Sequence, residues 1–471
     1  MNTSQIMVYA VVACYVVVMI AVGLYFRKKA QSSTAKFWSA DASIGWFVNS
    51  FAILATIMSG GGMMGNIGAA ATMGIVFVLM GTWSTCLGTG VAAILVVPPL
   101  RKSGAKTLAD FIHIRYRSKA VGTLCGIVIA SAYTVYLVAQ LKAGGTVSEG
   151  LLGLNYMTGN VAMWAIFTLY TILGGMLAVT WNDFIQGILM VVVVVGCSVL
   201  ALTTYGGFGD MMRQTVEIVP NIGLWYQPMG SQIGVFIIWF LIAFCAPTVL
   251  MRVATAKSPF SAGMAMHTAM LWLTIFVTGT IAVLGPATRL NAGTAPLPNA
   301  DAYILKFVTD HSGPVFQGLV ASAVFAAIMS TAAGLLLAAS AALANDVIKR
   351  HVQLSEKAAS KVGLASIMVI SVVALLLSFN PPPLLSILYS EAMAFLLCSL
   401  FFAYFLGMWW KRATTQGALA AIITGGGLYL FLRFGFNMAL YTQVLYALPA
   451  SCIVMVVVSL LTPKPDPEIA R

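Results

Sequence analysis

Backbone and hydroxyl oxygens in two distant segments of this 471-residue chain have the types and spacing to hold a hard cation. One segment is Ala55-Thr56-Ile57-Met58-Ser59-Gly60-Gly61-Gly62, where a triple glycine interrupts an apolar run from Trp46 to about Leu79. The other is Ala326-Ala327-Ile328-Met329-Ser330-Thr331, deep in an apolar helical stretch. Adjacent helical residues point about 100° apart, so the Ser330 and Thr331 hydroxyls can both reach one site on the helix surface. A hydroxyl at mid-span often bonds back to the carbonyl four residues earlier, which is a purely structural use. The glycine break changes that balance. An unwound turn releases carbonyls near Ala55 and Met58, and a hard cation takes several oxygen ligands. Those two carbonyls, the Ala327 carbonyl and the two hydroxyls offer oxygen without formal charge, which suits sodium better than a divalent ion.

A second apolar run, from Ser231 to about Ala254, is broken at Phe244-Cys245-Ala246-Pro247-Thr248. Hydrocarbon supplies no water for loose backbone groups, so such breaks are tolerated where the freed groups line a cavity or hold an ion. Two of them, each early in one half of the hydrophobic chain, predict a binding site at the membrane midplane. Thr56, Ser59, Gly60, Gly61, Trp83, Gln140, Phe244 and Thr248 are the candidate lining residues, with Asn66 further along the first broken run. Taken singly, each is as readily a packing residue. Lys142 and Glu391 fall inside spans, where charges are rare and face a cavity or one another. Three readings of Lys142 compete: a gating or structural salt bridge with Glu391, a contact to a solute carboxylate, and snorkelling to the surface.

The elements that must position these groups are membrane helices. The chain is 60% hydrophobic and 8% charged, with mean hydropathy +0.95, a balance that lipid-facing helices need and a soluble surface does not tolerate. Thirteen stretches can cross about 30 Å of hydrocarbon: 5–26, 45–70, 74–98, 120–150, 158–178, 183–205, 231–254, 262–287, 315–345, 359–379, 383–408, 414–434 and 440–461. The net charge of +12 marks topology, not nucleic-acid binding. With the N-terminus outside, only Lys142, Arg213, Arg289, Lys306 and Arg433 of the 25 Lys and Arg residues are outer or embedded. That favours an outer N-terminus and a cytoplasmic C-terminus. The first apolar stretch has no basic residue ahead of it and is followed by Arg27-Lys28-Lys29, so it reads as an anchor helix and not a cleaved leader. All seven cysteines (Cys14, Cys86, Cys125, Cys197, Cys245, Cys398, Cys452) fall in spans and read as small packing residues. A Walker phosphate loop is absent, so energy comes from a gradient or a separate subunit.

Leu173-Gly174-Gly175-Met176-Leu177-Ala178-Val179-Thr180-Trp181-Asn182-Asp183-Phe184-Ile185-Gln186 resembles the GG-x-x-AV-x-W-x-D-x-x-Q stretch of the sodium:solute symporter family. Thr107-Leu108-Ala109-Asp110-Phe111 with Arg115-Tyr116 resembles its loop after the third span. Ala326 to Thr331, ending in Asn345-Asp346, resembles its sodium-binding helix, and Pro247 with Arg252 its second broken helix. The resemblance implies an all-α leucine-transporter-like fold, with inverted five-helix repeats at about 45–205 and 231–408, one helix before (5–26) and two after (414–461). It implies a sodium site of the Ala55, Met58 and Ala327 carbonyls with the Ser330 and Thr331 side chains. Ala333 and Gly334 stand where some members hold a second sodium, so one sodium is expected. Asp183 matches a family acid, read either as a cap at the inner boundary or as an indirect aid to sodium exit.

Pro381-Pro382-Pro383 and Trp409-Trp410-Lys411-Arg412…Gly417-Ala418 most resemble pantothenate and monocarboxylate permeases, while proline, sugar and sialic acid transporters share the core. The expectation is a plasma-membrane, sodium-coupled importer of a small organic solute, foremost a carboxylate. Its partners are that solute, sodium and the bilayer, with no further cofactor, nucleic acid or obligatory protein partner. The alternatives are proton coupling on the same fold, or a neutral or zwitterionic solute such as proline or a sugar. An enzyme is disfavoured because His113, His267, His311 and His351 sit at span ends or loops without useful spacing.

Overall fold

The computed structural model describes residues 3–30, 40–105, 107–224, 227–380, 385–436 and 438–465. Lys106 and the Pro381-Pro382-Pro383 stretch lie outside the described residues. Among the described residues the chain is helical without a strand. The elements are α1 (Thr3–Ala30), α2 (Trp46–Ile57), α3 (Gly61–Met73), α4 (Ile75–Leu95), α5 (Val97–Ser103), α6 (Leu108–Tyr116), α7 (Lys119–Gly150), α8 (Tyr156–Thr204), α9 (Phe208–Ile218), α10 (Met229–Cys245), α11 (Pro247–Thr255) and α12 (Pro259–Ala292). After these come α13 (Tyr303–His311), α14 (Pro314–Lys349), α15 (Glu356–Leu377), α16 (Leu385–Trp409), α17 (Thr415–Gly435) and α18 (Val444–Leu461).

Eleven helices among the described residues are long and apolar enough to cross a membrane, and α2 with α3 makes a twelfth, bent by 67° at its break. The expected thirteen differ around α8. There the runs at 158–178 and 183–205 form one helix interrupted at Gly175, whose φ of 52° and ψ of −161° only glycine adopts readily. Only its Gly175–Thr204 part counts among the eleven.

The most enclosed span is α14, with 94% of its apolar window buried, and it packs against α1, α7 and α8. Its small residues (Ala326, Ala327, Ala332, Ala333 and Gly334) let neighbouring backbones come close, which drives helix association where lipid removes the hydrophobic incentive. The helix carrying Ser330 and Thr331 is therefore also the most enclosed of the candidate spans.

The Thr107–Tyr116 motif has a local structural role. The Thr107 hydroxyl caps α6 by accepting from the Asp110 N–H at 3.0 Å. Arg115 then donates to the Gly407 and Ala413 carbonyls at 2.7 and 3.2 Å, and the Tyr116 hydroxyl to the Ala403 carbonyl at 2.7 Å. A cation against the terminal carbonyls of α16 suits the negative end of that helix.

Candidate functional site

Both broken spans are broken where the sequence placed the interruptions. α2 ends at Met58 with φ −84° and ψ 93°, and α10 ends at Ala246 with φ −63° and ψ 115°. Pro247 opens α11, where its missing N–H costs nothing. On the side where α2 begins and α11 ends, Ile44 exchanges backbone hydrogen bonds of 3.0 Å with Thr255 and Lys257. The Asn49 amide donates to the Arg252 carbonyl at 2.8 Å.

Five oxygens converge where α14 crosses the first break. The Ser330 hydroxyl donates to the Ala55 carbonyl at 2.8 Å and lies 3.2 Å from the Ala327 carbonyl. The Thr331 hydroxyl lies 3.3 Å from the Ala55 carbonyl and 3.4 Å from that of Thr56. Ala55, Ala327, Ser330 and Thr331 are essentially fully buried, and Met58 is buried at the end of the turn. Uncharged oxygens at hydrogen-bond distance in an apolar surround can accept a monovalent cation by rotating the hydroxyl protons away. Thr56 contributes a carbonyl here, and its hydroxyl turns the other way. That hydroxyl donates to the Ala52 carbonyl at 2.7 Å and accepts from Arg252 Nε at 3.2 Å.

Arg252 is the largest fully buried side chain. It pairs with Asp183 Oδ2 through Nη2 and donates to the Thr180 hydroxyl at 2.7 Å through Nη1. Asp183 is thus no cap at a helix boundary. It is one half of a buried ion pair, on a helix face already filled by Thr180 and Met176.

One face of α7 serves both breaks. Tyr133, Tyr136 and Gln140 stand at i, i+3 and i+7, which a helix places in line. The Gly60 N–H donates to Gln140 Oε1 at 3.1 Å, and the Thr248 N–H to the Tyr133 hydroxyl at 3.3 Å. Each supplies a partner for an amide freed at the head of a half-helix. Ser59 Oγ accepts the Gly62 N–H at 3.1 Å. The Tyr389 ring lies over Gly61, stacks on Tyr136 at 5.5 Å and meets the Trp239 edge at 5.4 Å; its hydroxyl donates to Asn66 Oδ1 at 2.5 Å. Phe244 joins Phe240, Phe401 and Phe405 in an aromatic cluster beside the second break. Sequence reasoning missed Tyr133, Tyr136, Trp239 and Tyr389; the spacing of Tyr133 and Tyr136 from Gln140 was the available signal.

Two further expectations are corrected. Trp83 is 47% exposed while Gly81 and Gly88 face α10 and Ser84 and Thr85 are buried, so the helical period turns its ring to the outside of the bundle and away from the pocket. Lys142 does not pair with Glu391. Its ammonium lies 3.0 Å from Asp301 Oδ2, on a turn at Ala300–Ala302 that sequence reasoning left as loop. Glu391 pairs instead with Arg433 at 3.1 Å and accepts the Tyr429 hydroxyl, tying α16 to α17. Burial pushes the Asp301 carboxyl above its usual range, and the Lys142 ammonium draws it back. Asp301 also accepts the Leu385 N–H at 3.4 Å, so one carboxylate holds α7, the 299–302 turn and the start of α16 together.

A multi-pass helical protein with two spans broken side by side, uncharged oxygens at one break and aromatic and amide groups between them has the architecture of a secondary transporter. The chain superposes on the substrate-bound, outward-open state of a Na+-coupled sialic acid symporter with a TM-score of 0.85, covering 98% of this chain and 99% of the other at 19% identity. A nucleobase-cation-symport-1 family transporter in a closed conformation matches with a TM-score of 0.58 and 15% identity, over 92% of this chain and 97% of the other. These likenesses show the fold, which is of the leucine-transporter type. The chain belongs to the sodium:solute symporter family, whose model matches residues 37–425. It is a membrane transporter and not an enzyme. It is 28% identical to the high-affinity proline transporter PutP of Bacillus subtilis, over 94% of this chain and 96% of the relative. It is also 28% identical to sodium/proline symporter 2 of Staphylococcus saprophyticus (88% and 84%) and to the osmoregulated proline transporter OpuE of Bacillus subtilis (96% and 94%).

Proposed function

We propose that this protein imports a small zwitterionic solute of the proline type together with one sodium ion, by alternating access across the plasma membrane. The observation that carries the reading is the Lys142–Asp301 pair. It satisfies the cation that a solute anion would need. What remains at the breaks is amide, hydroxyl, backbone and aromatic groups, a surround suited to a solute of zero net charge. The names of the relatives support proline over the pantothenate or monocarboxylate first expected. Sodium binds the Ala55, Met58 and Ala327 carbonyls and the Ser330 and Thr331 hydroxyls, with Thr56 adding a carbonyl at the edge. By holding α2 against α14 it favours the state that accepts solute. The N-terminus lies outside and the C-terminus in the cytoplasm, and the inverted repeats span about 45–205 and 231–408.

The test is uptake into proteoliposomes of radiolabelled proline, pantothenate, pyruvate and acetate under an inward sodium gradient, with lithium, potassium or a proton gradient as replacements. Sodium-only uptake of proline is expected. Uptake driven equally by protons overturns the sodium site, and uptake of pantothenate or pyruvate in place of proline overturns the solute class.

A further inference from the structure

We infer that Gln140 is the residue by which this transporter selects for a carboxylate on its solute, resting on the zwitterion reading above. The side chain is fully buried on α7 at the first break. An amide has two ends of nearly the same shape, and here the chemistry tells them apart. The Gly60 N–H is a donor and needs an acceptor, and it points at Oε1 at 3.1 Å. The other end is therefore the NH2 group, and that nitrogen has no hydrogen-bond partner among the described residues.

A buried amide donor without a partner is costly unless something else occupies the position in the working protein. It is held at the break itself. A Cβ placed on Gly60 would lie 2.6 Å from Ile328 Cγ1, 2.9 Å from the Ala143 Cβ and 3.4 Å from Gln140 Oε1, so only a glycine lets the amide come this close to the broken backbone. Tyr136 lies one turn away on the same face of α7, and its ring is stacked under Tyr389. The unpaired group is therefore a buried hydrogen-bond donor beside Ala143 and Ile328, next to the head of α3, whose positive end favours a negative group. A carboxylate oxygen fits that position: it accepts from Nε2 without needing a cation.

The arrangement also links recognition to the break. The same side chain holds the Gly60 N–H through one end and the solute through the other, so a bound carboxylate fixes the rotamer that caps α3.

Gln140→Glu and Gln140→Ala separate this role from a structural one. Glutamate keeps an oxygen for the Gly60 N–H and replaces the donor by an acceptor; alanine removes both. The readout is competition for sodium-driven uptake by matched pairs that differ only in the acid: proline against prolinamide, and pantothenate and pyruvate against their amides. In the wild type the acid of the transported pair outcompetes its amide. Gln140→Glu is expected to weaken the acid about ten- to hundredfold, the range for a hydrogen bond to a charged group, and to reverse the acid-to-amide preference. Gln140→Ala is expected to bring that preference near unity. A preserved acid-to-amide ratio in both variants overturns the assignment even where overall uptake falls. If the wild type carries pantothenate or pyruvate, the proline reading fails while the Gln140 test proceeds on that pair. If it carries a solute without a carboxylate, the Gln140 assignment fails while sodium symport stands.

Discussion

Among single side chains, the hydroxyl pair on α14 makes the sharpest demand. Ser330 lies closer to the Ala55 carbonyl than Thr331 does, 2.8 against 3.3 Å, so its loss is the larger. Ser330→Ala should raise the sodium concentration for half-maximal uptake about tenfold, the scale of one hydrogen-bond-strength ligand, and Thr331→Ala somewhat less. Initial uptake rates over a sodium titration read this directly, and unchanged curves for both variants remove the site. Arg252 makes a different demand, on stability. Truncating it to methionine strands the Asp183 carboxylate in a dry surround, and an uncompensated buried charge costs about 3–5 kcal/mol. The double variant Arg252→Met with Asp183→Asn should melt higher in detergent than Arg252→Met alone, because it removes the stranded charge. Equal melting points would mean that water reaches Asp183 and the pair is no deep ion pair.

At the scale of elements, the bend between α2 and α3 opens a space that α3 must close, and its glycines set how tightly. Gly61, Gly65 and Gly68 share one face of the segment. A Cβ on Gly61 would collide with the Tyr389 ring, one on Gly65 would press on the Ser386 nitrogen at 3.1 Å, and one on Gly68 would overlap the Ala300 carbonyl. The absence of side chains is what lets α3 seat against α16 and the 299–302 turn. Gly68→Val should therefore hold α3 away from that turn: sodium-dependent solute binding by scintillation proximity is retained, while uptake falls at least tenfold. Loss of both binding and uptake would assign Gly68 to folding instead. Both breaks were legible in the sequence because they are backbone features, a glycine run and a proline, whose consequences in hydrocarbon are local. The hydroxyl pair was legible because adjacency on a helix fixes direction. The partner of Lys142 was not, since Asp301 lies 159 residues away on a turn without periodicity. Trp83 was misplaced because a span with small residues around most of its circumference does not declare which face is inward. The split of α8 at Gly175 was blurred for a related reason: one apolar stretch runs through the kink, and only a positive φ marks it.

For the whole molecule the net charge moved per cycle decides what the transporter can accumulate. One sodium with a zwitterion carries one positive charge inward. A potential of 100 mV then contributes about 2.3 kcal/mol, and a tenfold sodium gradient contributes about 1.4 kcal/mol. Together these sustain a solute gradient of several hundredfold. One sodium with a monovalent anion moves no net charge, so the potential does nothing and the limit is about tenfold. The Lys142–Asp301 pair bears on this choice because it adds no net charge to the site, and the Arg252–Asp183 pair on the other side of the break adds none either. The carried ion and solute thus set the charge of the translocated load. Steady-state accumulation in proteoliposomes at fixed sodium gradient should then rise about fiftyfold when a potassium diffusion potential of −100 mV is imposed, by the same conversion. Accumulation indifferent to voltage would mean an electroneutral cycle. That would return the solute to the monovalent acids, their carboxylate held by Gln140 alone or with a Lys142 released from Asp301 during transport.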